Sequence, residues 1–458
     1  MQAVILAAGA GERFRRTVAD VPKPLYRVHG VALVERAIRT AFRAGCDEVL
    51  VVTGAWAEEV ERAVRASERP QVRTVRAAGW ERGNGASLLA AAPYLRQPFL
   101  VLMADHVMDP AIVVRAVRAA GELAGALEGG VAVLVVDPRL ERVHDLGEAT
   151  KVRRRGDRIE DIGKELGTFD AVDTGVFIGS RGLLAALEEV AGRPNQEVAL
   201  TAAAAVMARA GRLVALPVES GWWIDVDDAA ALREAERRLL DEATASGGDG
   251  PVARYLNRPI SRHITARLAP TRLTPDGVSW LAFGLCGLGA VAFAAGAPVL
   301  GGMLCQAASI VDGVDGELAR LRLEARPAGA FLDTVLDRYA DALIVAGLVL
   351  GALAQGWPAA VAWGWGLVAM AGLPLSALMK DRVRLVFPAR RERRFDPLRD
   401  DPPWLRWIPG NRDGRFFIIF LTGLLGQPLW ALVLLAVVAH TLAVGRLVHV
   451  MQRAAGGA

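Results

Sequence analysis

Four aspartates interrupt the apolar second half of this 458-residue chain, and its fold must accommodate them. They lie within Ile310–Arg338, IVDGVDGELARLRLEARPAGAFLDTVLDR. Asp312 and Asp315 are three residues apart; Asp333 and Asp337 are four apart. On helices both spacings put a pair on one face. Each pair sits at the end of a long apolar run, where an ionisable side chain is costly without a partner. Four converging carboxylates offer hard oxygen donors, which suit Mg²⁺ or Mn²⁺ better than zinc. Gly313, Gly316 and Gly329 leave room for close backbone approach, and Arg320 presents a fork suited to phosphate. A polar transport pathway, or a solvated cluster at the membrane edge, is the competing reading.

The full pattern is Asp312-x-x-Asp315-Gly316-x-x-Ala319-Arg320, eight residues, then Gly329-x-x-x-Asp333-x-x-x-Asp337. It resembles the signature of the CDP-alcohol phosphotransferase family of integral membrane enzymes. The resemblance implies Mg²⁺ (or Mn²⁺) held by Asp312, Asp315 and Asp333, with Asp337 beside the metal as the general base for an acceptor hydroxyl. It further implies that Gly316, Ala319, Arg320 and Gly329 contact the nucleotide of a CDP-alcohol. Membrane domains of that family usually pair as homodimers.

Hydrophobic residues make up 53% of the chain, too many for ordinary soluble domains, but they are unevenly spread. Charged residues recur every few positions before about residue 250, and long uncharged runs follow residue 277. The length suggests two or three domains. Cys46, Cys286 and Cys305 show no C-x-x-C spacing, which argues against a disulfide framework or a zinc site. The opening MQAVILAAGAGERF lacks a basic lead and is broken by glycine and charge, so it does not read as a signal peptide.

In the first half, residues 2–8 read as a buried strand running into Gly9-Ala10-Gly11. Such a turn frees backbone N–H groups for phosphate, and Arg13 and Lys23 add charge. Val31–Ala44 and Ala57–Ala66 have helical spacing around a strand at Glu48–Thr53, the alternation of an α/β fold. Gly83-Asn84-Gly85-Ala86-Ser87 opens another helix with small residues. Pro98–Met103 is a continuous apolar strand ending at Ala104-Asp105-His106. An acid just past the carboxyl end of a central parallel strand stands where such sheets bind ligands. A second acidic group, Asp225, Asp227 and Asp228, precedes a helix at 229–240, with Asp228 as its N-cap. Lys151 and Lys164 each lie near a strand and are candidate holders of an alcohol phosphate.

The run L-A-A-G-x-G-x-R with the downstream Lys23-Pro24 resembles the sugar-phosphate nucleotidyltransferase family, over about residues 1–240. The resemblance implies a Rossmann-like α/β domain in which Leu6, Ala7, Ala8, Gly9, Ala10 and Gly11 face the nucleotide. Lys23, Gly83, Asn84, Gly85, Ser87 and Asp105 would join them. Asp105 and one aspartate of the later group would hold Mg²⁺, and the helix that follows favours Asp227 over Asp225. Arg13 and Lys23 would offset charge during transfer. Asp173-Thr174-Gly175 resembles the sugar-binding turn of that family, making Thr174 and Gly175 substrate contacts. His106 stays open between a contact to the base and packing at the rim.

Asp241–Pro251 reads as a polar glycine-rich linker, and 252–274 as an amphipathic helix on the membrane surface. The rest, 275–452, reads as a membrane domain with spans at about 278–296, 299–320, 329–354, 358–380, 414–426 and 428–449. Loops after the first, third and fifth are uncharged, whereas those after the second and fourth are rich in arginine. Positive loops face the cytoplasm, so the N-domain, the C-terminus and all four aspartates are expected there. The loop 385–412 reads as an interfacial segment drawn to anionic lipid. Lys380, Arg382 and Arg384 are candidates for an incoming substrate phosphate.

A cytidylyltransferase makes a CDP-alcohol, and a CDP-alcohol phosphotransferase consumes one. Their fusion selects CTP among the triphosphates. The whole chain resembles the bifunctional inositol-1-phosphate cytidylyltransferase and di-myo-inositol phosphate phosphate synthase family. That implies CTP and inositol 1-phosphate giving CDP-inositol, followed by transfer to a second inositol phosphate. The alternative is the same chemistry with another alcohol phosphate or a lipid acceptor, making a phospholipid; no nucleic-acid partner is expected. The expected architecture is a Rossmann-like α/β nucleotidyltransferase domain followed by an all-α domain of six transmembrane helices.

Overall fold

The computed structural model describes residues 1–194, 196–245, 249–386 and 400–455, with backbone alone at 380–386 and 453–455. The chain forms two compact units, Met1–Arg238 and Leu239–Ala458.

The first unit contains strands β1 (Gln2–Ala7), β2 (Arg27–Val28), β3 (Val31–Ala32), β4 (Glu48–Thr53), β5 (Val72–Arg76), β6 (Phe99–Met103), β7 (His106–Met108), β8 (Ala132–Asp137), β9 (Lys151–Arg155), β10 (Arg158–Gly163), β11 (Ala171–Gly179), β12 (Leu213–Pro217) and β13 (Trp223–Asp225). Nine form one sheet in the order β5-β4-β1-β6-β11-β8-β12-β10-β9. All six residues of β1 are buried, as a strand covered on both faces requires. Ile38, Val60 and Ile112 cover one side of the sheet, and Leu88, Leu187 and Met207 the other.

β1 is parallel to β4 on one side and to β6 on the other, whereas β11 runs antiparallel to β6. The strand order therefore reverses between β1 and β6, and a crevice opens above their carboxyl ends. Residues 8–11 and Ala104-Asp105 follow those ends. The short β13 pairs antiparallel with β7 and sets Asp225 opposite His106. Val31 and Ala32, expected as the start of a helix, instead pair with β2, and the helix runs from Leu33 to Arg43. Asp228 Oδ1 accepts from the N–H groups of Ala230 (2.8 Å) and Ala231 (2.9 Å), capping helix Ala229–Thr244. With no proline or glycine to stop it, this helix continues through the first residues of the expected linker.

The second unit is helical: Arg258–Leu268, Pro275–Ala294, Pro298–Leu321, Pro327–Ala354, Ala359–Val386, Arg412–Leu424 and Pro428–Ala455. Pro275, Pro298, Pro327 and Pro428 each occupy a first helical position, where the missing N–H leaves no bond unmade. Among the described residues three stretches, Pro275–Ala294, Ala359–Met379 and Pro428–Gln452, are long and apolar enough to cross a membrane. The aspartates shorten the apolar length of Pro298–Leu321 and Pro327–Ala354. Arg412–Leu424 has 13 residues, about 20 Å of helix.

The expected surface helix appears as a π-turn at Ala253–Asn257 leading into Arg258–Leu268. Its buried face is polar. Asn257, Ser261 and Thr265, spaced by four, point into the protein, whereas Tyr255, Leu256 and Ile260 are exposed.

Glycines let the helices of this unit touch. A Cβ at Gly347 would run into the Ala290 carbonyl, and one at Gly351 would meet the Phe293 carbonyl at 2.7 Å. Gly284, by contrast, has open space around it. Gly347→Ala is expected to destabilise the detergent-solubilised chain by about 1–3 kcal/mol, whereas Gly284→Ala leaves it unchanged or more stable. Thermal midpoints of the two variants check this.

Candidate active sites

In the first unit the site is organised by Lys23. Gly11 sits at φ +62°, and a Cβ there would meet that of Lys23 at 2.9 Å, so glycine lets the turn close over the lysine. The Lys23 ammonium donates to Asp105 Oδ2 (2.7 Å) and Asp227 Oδ1 (2.5 Å), and lies 3.4 Å from Asp225 Oδ1. Burial alone would favour the neutral amine, but the three carboxylates prevail and raise its pKa further above the usual lysine range. The Asp225 carboxyl is opposed by burial yet held well below its usual range by His106 and Lys23.

His106 Nδ1 donates to the Thr174 carbonyl (3.0 Å), and its Nε2 faces Asp225 Oδ2 at 3.5 Å. Burial disfavours the imidazolium, but Asp225 and Asp105 outweigh it and push the pKa up to about 9. Leu6, Ala7, Gly9, Gly11, Arg13 and Asp227 line the cleft beside Lys23 and Asp105.

In the second unit the four aspartates come from two helices, Pro298–Leu321 and Pro327–Ala354. One oxygen from each of Asp312, Asp333 and Asp337 lies within 4.8 Å of the others, as do ligand atoms of Asp105, His106 and Asp225 in the first unit. The close-set carboxylate oxygens in each group are the donors that a hard divalent cation takes. Asp315 accepts from the Ser279 hydroxyl and the Gly316 N–H. A third helix supplies Arg412, whose Nη1 pairs with Asp312 and stands 2.5 Å from Asp337 Oδ1. Its guanidinium carbon lies 5.0 Å from the Phe416 ring centroid.

Residues 3–202 match the family model described as a MobA-like NTP transferase domain, and residues 272–395 that of CDP-alcohol phosphatidyltransferase. The chain is 41% identical over 449 residues to the bifunctional IPC transferase and DIPP synthase of Rubrobacter xylanophilus, covering 97% of this chain and 95% of that one. The chain belongs to the bifunctional IPC transferase and DIPP synthase family. The relative of the same name from Archaeoglobus fulgidus is 32% identical, with 93% of this chain and 78% of that one aligned. The one from Aquifex aeolicus is 30% identical, with 96% and 95% aligned.

Within this family member, the residues expected to act together are only partly gathered. Both Asp225 and Asp227 reach Lys23, but Asp225 is the one grouped with Asp105 and His106. Arg13 pairs with Glu148 at 3.7 Å, and Lys164 approaches the same carboxylate at 3.9 Å. Lys151 donates to the Lys164 carbonyl (2.8 Å). Ala8 and Ala10 accept backbone and indole hydrogen bonds from Ala55 and Trp56.

Gly83, Asn84, Gly85 and Ser87 are absent from the lining of the Lys23 cleft. Asn84 Oδ1 instead accepts from Leu200 N–H (2.8 Å), Gly85 N–H donates to the Val198 carbonyl (2.8 Å), and Ser87 is buried. The small residues there serve close packing against Val198. The buried Thr174 hydroxyl donates to the Val135 carbonyl (2.8 Å), and the Thr174 carbonyl accepts from His106 Nδ1. Gly175, at φ +75°, is required because a Cβ would strike the His106 ring.

In the second unit Arg320 Nε donates to the Ala243 carbonyl (2.7 Å), so part of its fork is already engaged. Gly316 makes room for the Arg320 guanidinium, with a Cβ at 3.1 Å from its Nη1, whereas a Cβ at Gly329 would meet only ordinary contacts. Ala319 lies one residue before Arg320 on the same helix. The side chains of Lys380, Arg382 and Arg384 lie outside the described residues. Arg412 is the site residue that sequence reasoning passed over among many loop arginines.

His106 binds its proton more tightly in the folded protein than its ordinary value of 6.5 would allow. Its stabilising contribution is therefore complete below about pH 6.5 and lost as pH rises through about 9. In EDTA, the first unit of the full chain is expected to lose on the order of 2 kcal/mol between pH 7 and pH 10. Thermal unfolding of wild type and His106→Gln checks this; the variant should lack most of the decline.

Proposed function

We propose that the chain makes CDP-inositol from CTP and 1L-myo-inositol 1-phosphate, then uses it to phosphorylate a second inositol phosphate with the inositol phosphoryl group. The product is a phosphorylated di-inositol phosphodiester. The observation that carries this reading is the coexistence of two acid clusters, each holding a cationic side chain, in a chain 41% identical to a bifunctional IPC transferase and DIPP synthase.

The cytidylyltransferase occupies about 1–240, the linker 241–251, the surface segment 252–274 and the phosphotransferase 275–452. All six long helices of the second unit span the membrane, the short Arg412–Leu424 by leaning on its neighbours. The arginine-rich loops support a cytoplasmic position for the N-domain, the C-terminus and the four aspartates. The membrane domain forms a homodimer.

In the first step a phosphate oxygen of inositol 1-phosphate attacks the α-phosphorus of CTP, and the bond to pyrophosphate breaks. Backbone N–H groups at 9–11, with Arg13 and Lys23, receive the triphosphate; Lys151 and Lys164 hold the inositol phosphate. Asp105, with Asp225 or Asp227, would hold Mg²⁺ or Mn²⁺. In the second step the acceptor hydroxyl gives its proton to Asp337 and attacks the inositol-bearing phosphorus of CDP-inositol, and CMP leaves. Asp312, Asp315 and Asp333, with Asp337 alongside, would hold the divalent cation there. Gly316, Ala319, Arg320 and Gly329 face the nucleotide, while Lys380, Arg382 and Arg384 meet the acceptor phosphate. When bound, a divalent cation at either site neutralises phosphate charge as it shifts to the leaving group. Arg412 keeps the Asp312 and Asp337 carboxylates in register.

Membranes supplied with CTP, radiolabelled inositol 1-phosphate and Mg²⁺ test the reading. Label is expected in a water-soluble phosphodiester; label in the organic phase would establish a lipid acceptor instead. Asp337→Asn should lower transfer by about 100-fold or more while CDP-inositol accumulates. Lys23→Met should stop CDP-inositol formation, with transfer from added CDP-inositol intact.

A further inference from the structure

We propose that Glu317 is a positioning residue for the metal-facing carboxylates of the membrane site, acting through the short helix Arg258–Leu268. The proposal rests on the role given above to Asp312, Asp315, Asp333 and Asp337. Glu317 is fully buried on helix Pro298–Leu321, two residues beyond Asp315. A helix turns about 100° per residue, so Glu317 leaves the axis about 140–160° away from Asp312 and Asp315. It grips the back of the helix whose front carries two of the acids.

Three donors from one segment converge on it. Arg258 Nη1 (2.5 Å) and Ser261 Oγ (2.6 Å) donate to Oε1, and Thr265 Oγ1 (2.6 Å) donates to Oε2. Arg258 is held in turn by Asp249, through Nε (2.8 Å) and Nη2 (3.1 Å). Gly313 leaves the guanidinium its path, since a Cβ there would stand 3.2 Å from Arg258 Nη1. One turn earlier, Asn257 Nδ2 donates to Ser309 Oγ (3.0 Å) and Gln306 Nε2 donates to Asn257 Oδ1 (2.8 Å). Positions 306, 309, 313 and 317 thus form one stripe along the back of the helix.

Apolar packing between membrane helices is weakly directional, whereas hydrogen bonds fix rotation about the axis. Side-chain tips lie about 5–6 Å from that axis, so a rotation of about 10° displaces a carboxylate oxygen by about 1 Å. Metal–ligand distances tolerate only about 0.2 Å. The polar stripe is therefore placed to decide whether the acids on the opposite face meet a cation together.

The test is Mn²⁺ binding, followed by electron paramagnetic resonance on the detergent-solubilised full chain, with Asp105→Asn added to silence the soluble site. Glu317→Leu is expected to weaken binding about tenfold or more. Glu317→Gln should stay near the parent, because its amide oxygen still accepts from Ser261 and the Thr265 hydroxyl can turn to accept from its N–H. If Glu317→Leu does not fold, Ser261→Ala with Thr265→Val removes two of the three donors and should also weaken binding. Parent-like Mn²⁺ affinity in Glu317→Leu, or in the double variant where Glu317→Leu is lost, overturns the proposal. The readout needs no turnover, so a failed transfer assay would sink the assigned reaction and leave this measurement standing.

Discussion

Compensation of buried charge sets where the helices of the second unit sit. Arg412 answers Asp312 and Asp337, Arg415 answers Asp341 at 3.1 Å, Arg446 answers Asp401 at 2.7 Å, and Arg258 answers Glu317 at 2.5 Å. In each case the partners belong to different segments of the chain. Breaking one buried pair leaves an unmatched charge, at a cost of about 3–5 kcal/mol. Apolar packing could be satisfied by many small rotations and slides, but these pairs permit few. Arg322 adds a related restraint, donating to the carbonyls of Leu268, Ala269, Thr271 and Leu273 and so tying the end of the short helix to the helix of Asp312. The acids of the site belong to this network, so the forces that fix the helices also fix the chemistry.

This explains which features were legible in the sequence. The α/β alternation, the switch-point crevice and the facing pairs Asp312/Asp315 and Asp333/Asp337 follow from periodicity and spacing, which are local properties. Arg412 was not legible, because it lies 100 residues from Asp312 and no helical spacing links them. The same holds for Arg415 and Asp341, 74 residues apart. In the soluble unit, local reading favoured Asp227 from the helix that follows it. The pairing of β13 with β7, which sets Asp225 opposite His106, is a long-range register that local reading does not contain. Gly83-Asn84-Gly85 shows why small residues are ambiguous: they suit a ligand and a neighbouring backbone equally well, and Val198 lies against the two glycines. On the short helix Arg258–Leu268 the buried stripe of Asn257, Ser261 and Thr265 is spaced by four, but its partners on Pro298–Leu321 lie about 50 residues away, beyond local reading.

The two sites share one electrostatic device despite unrelated folds. In the first unit Lys23 is held among Asp105, Asp225 and Asp227, with His106 beside Asp225, so the carboxylates are only partly neutralised. In the second unit Arg412 pairs with Asp312 and Asp337, while Asp315 and Asp333 have no cation paired to them among the described residues. An acid cluster without an internal cation would repel the phosphates it must receive. One with too many cations would hold phosphate without needing a divalent ion. A partly neutralised acid cluster leaves room for a divalent ion and makes phosphate and metal binding mutually dependent. The choice of cation follows from geometry. The soluble acids converge on one point, which a compact ammonium can occupy. In the membrane the acids stand on separate helices, and a planar guanidinium can bridge two of them at once.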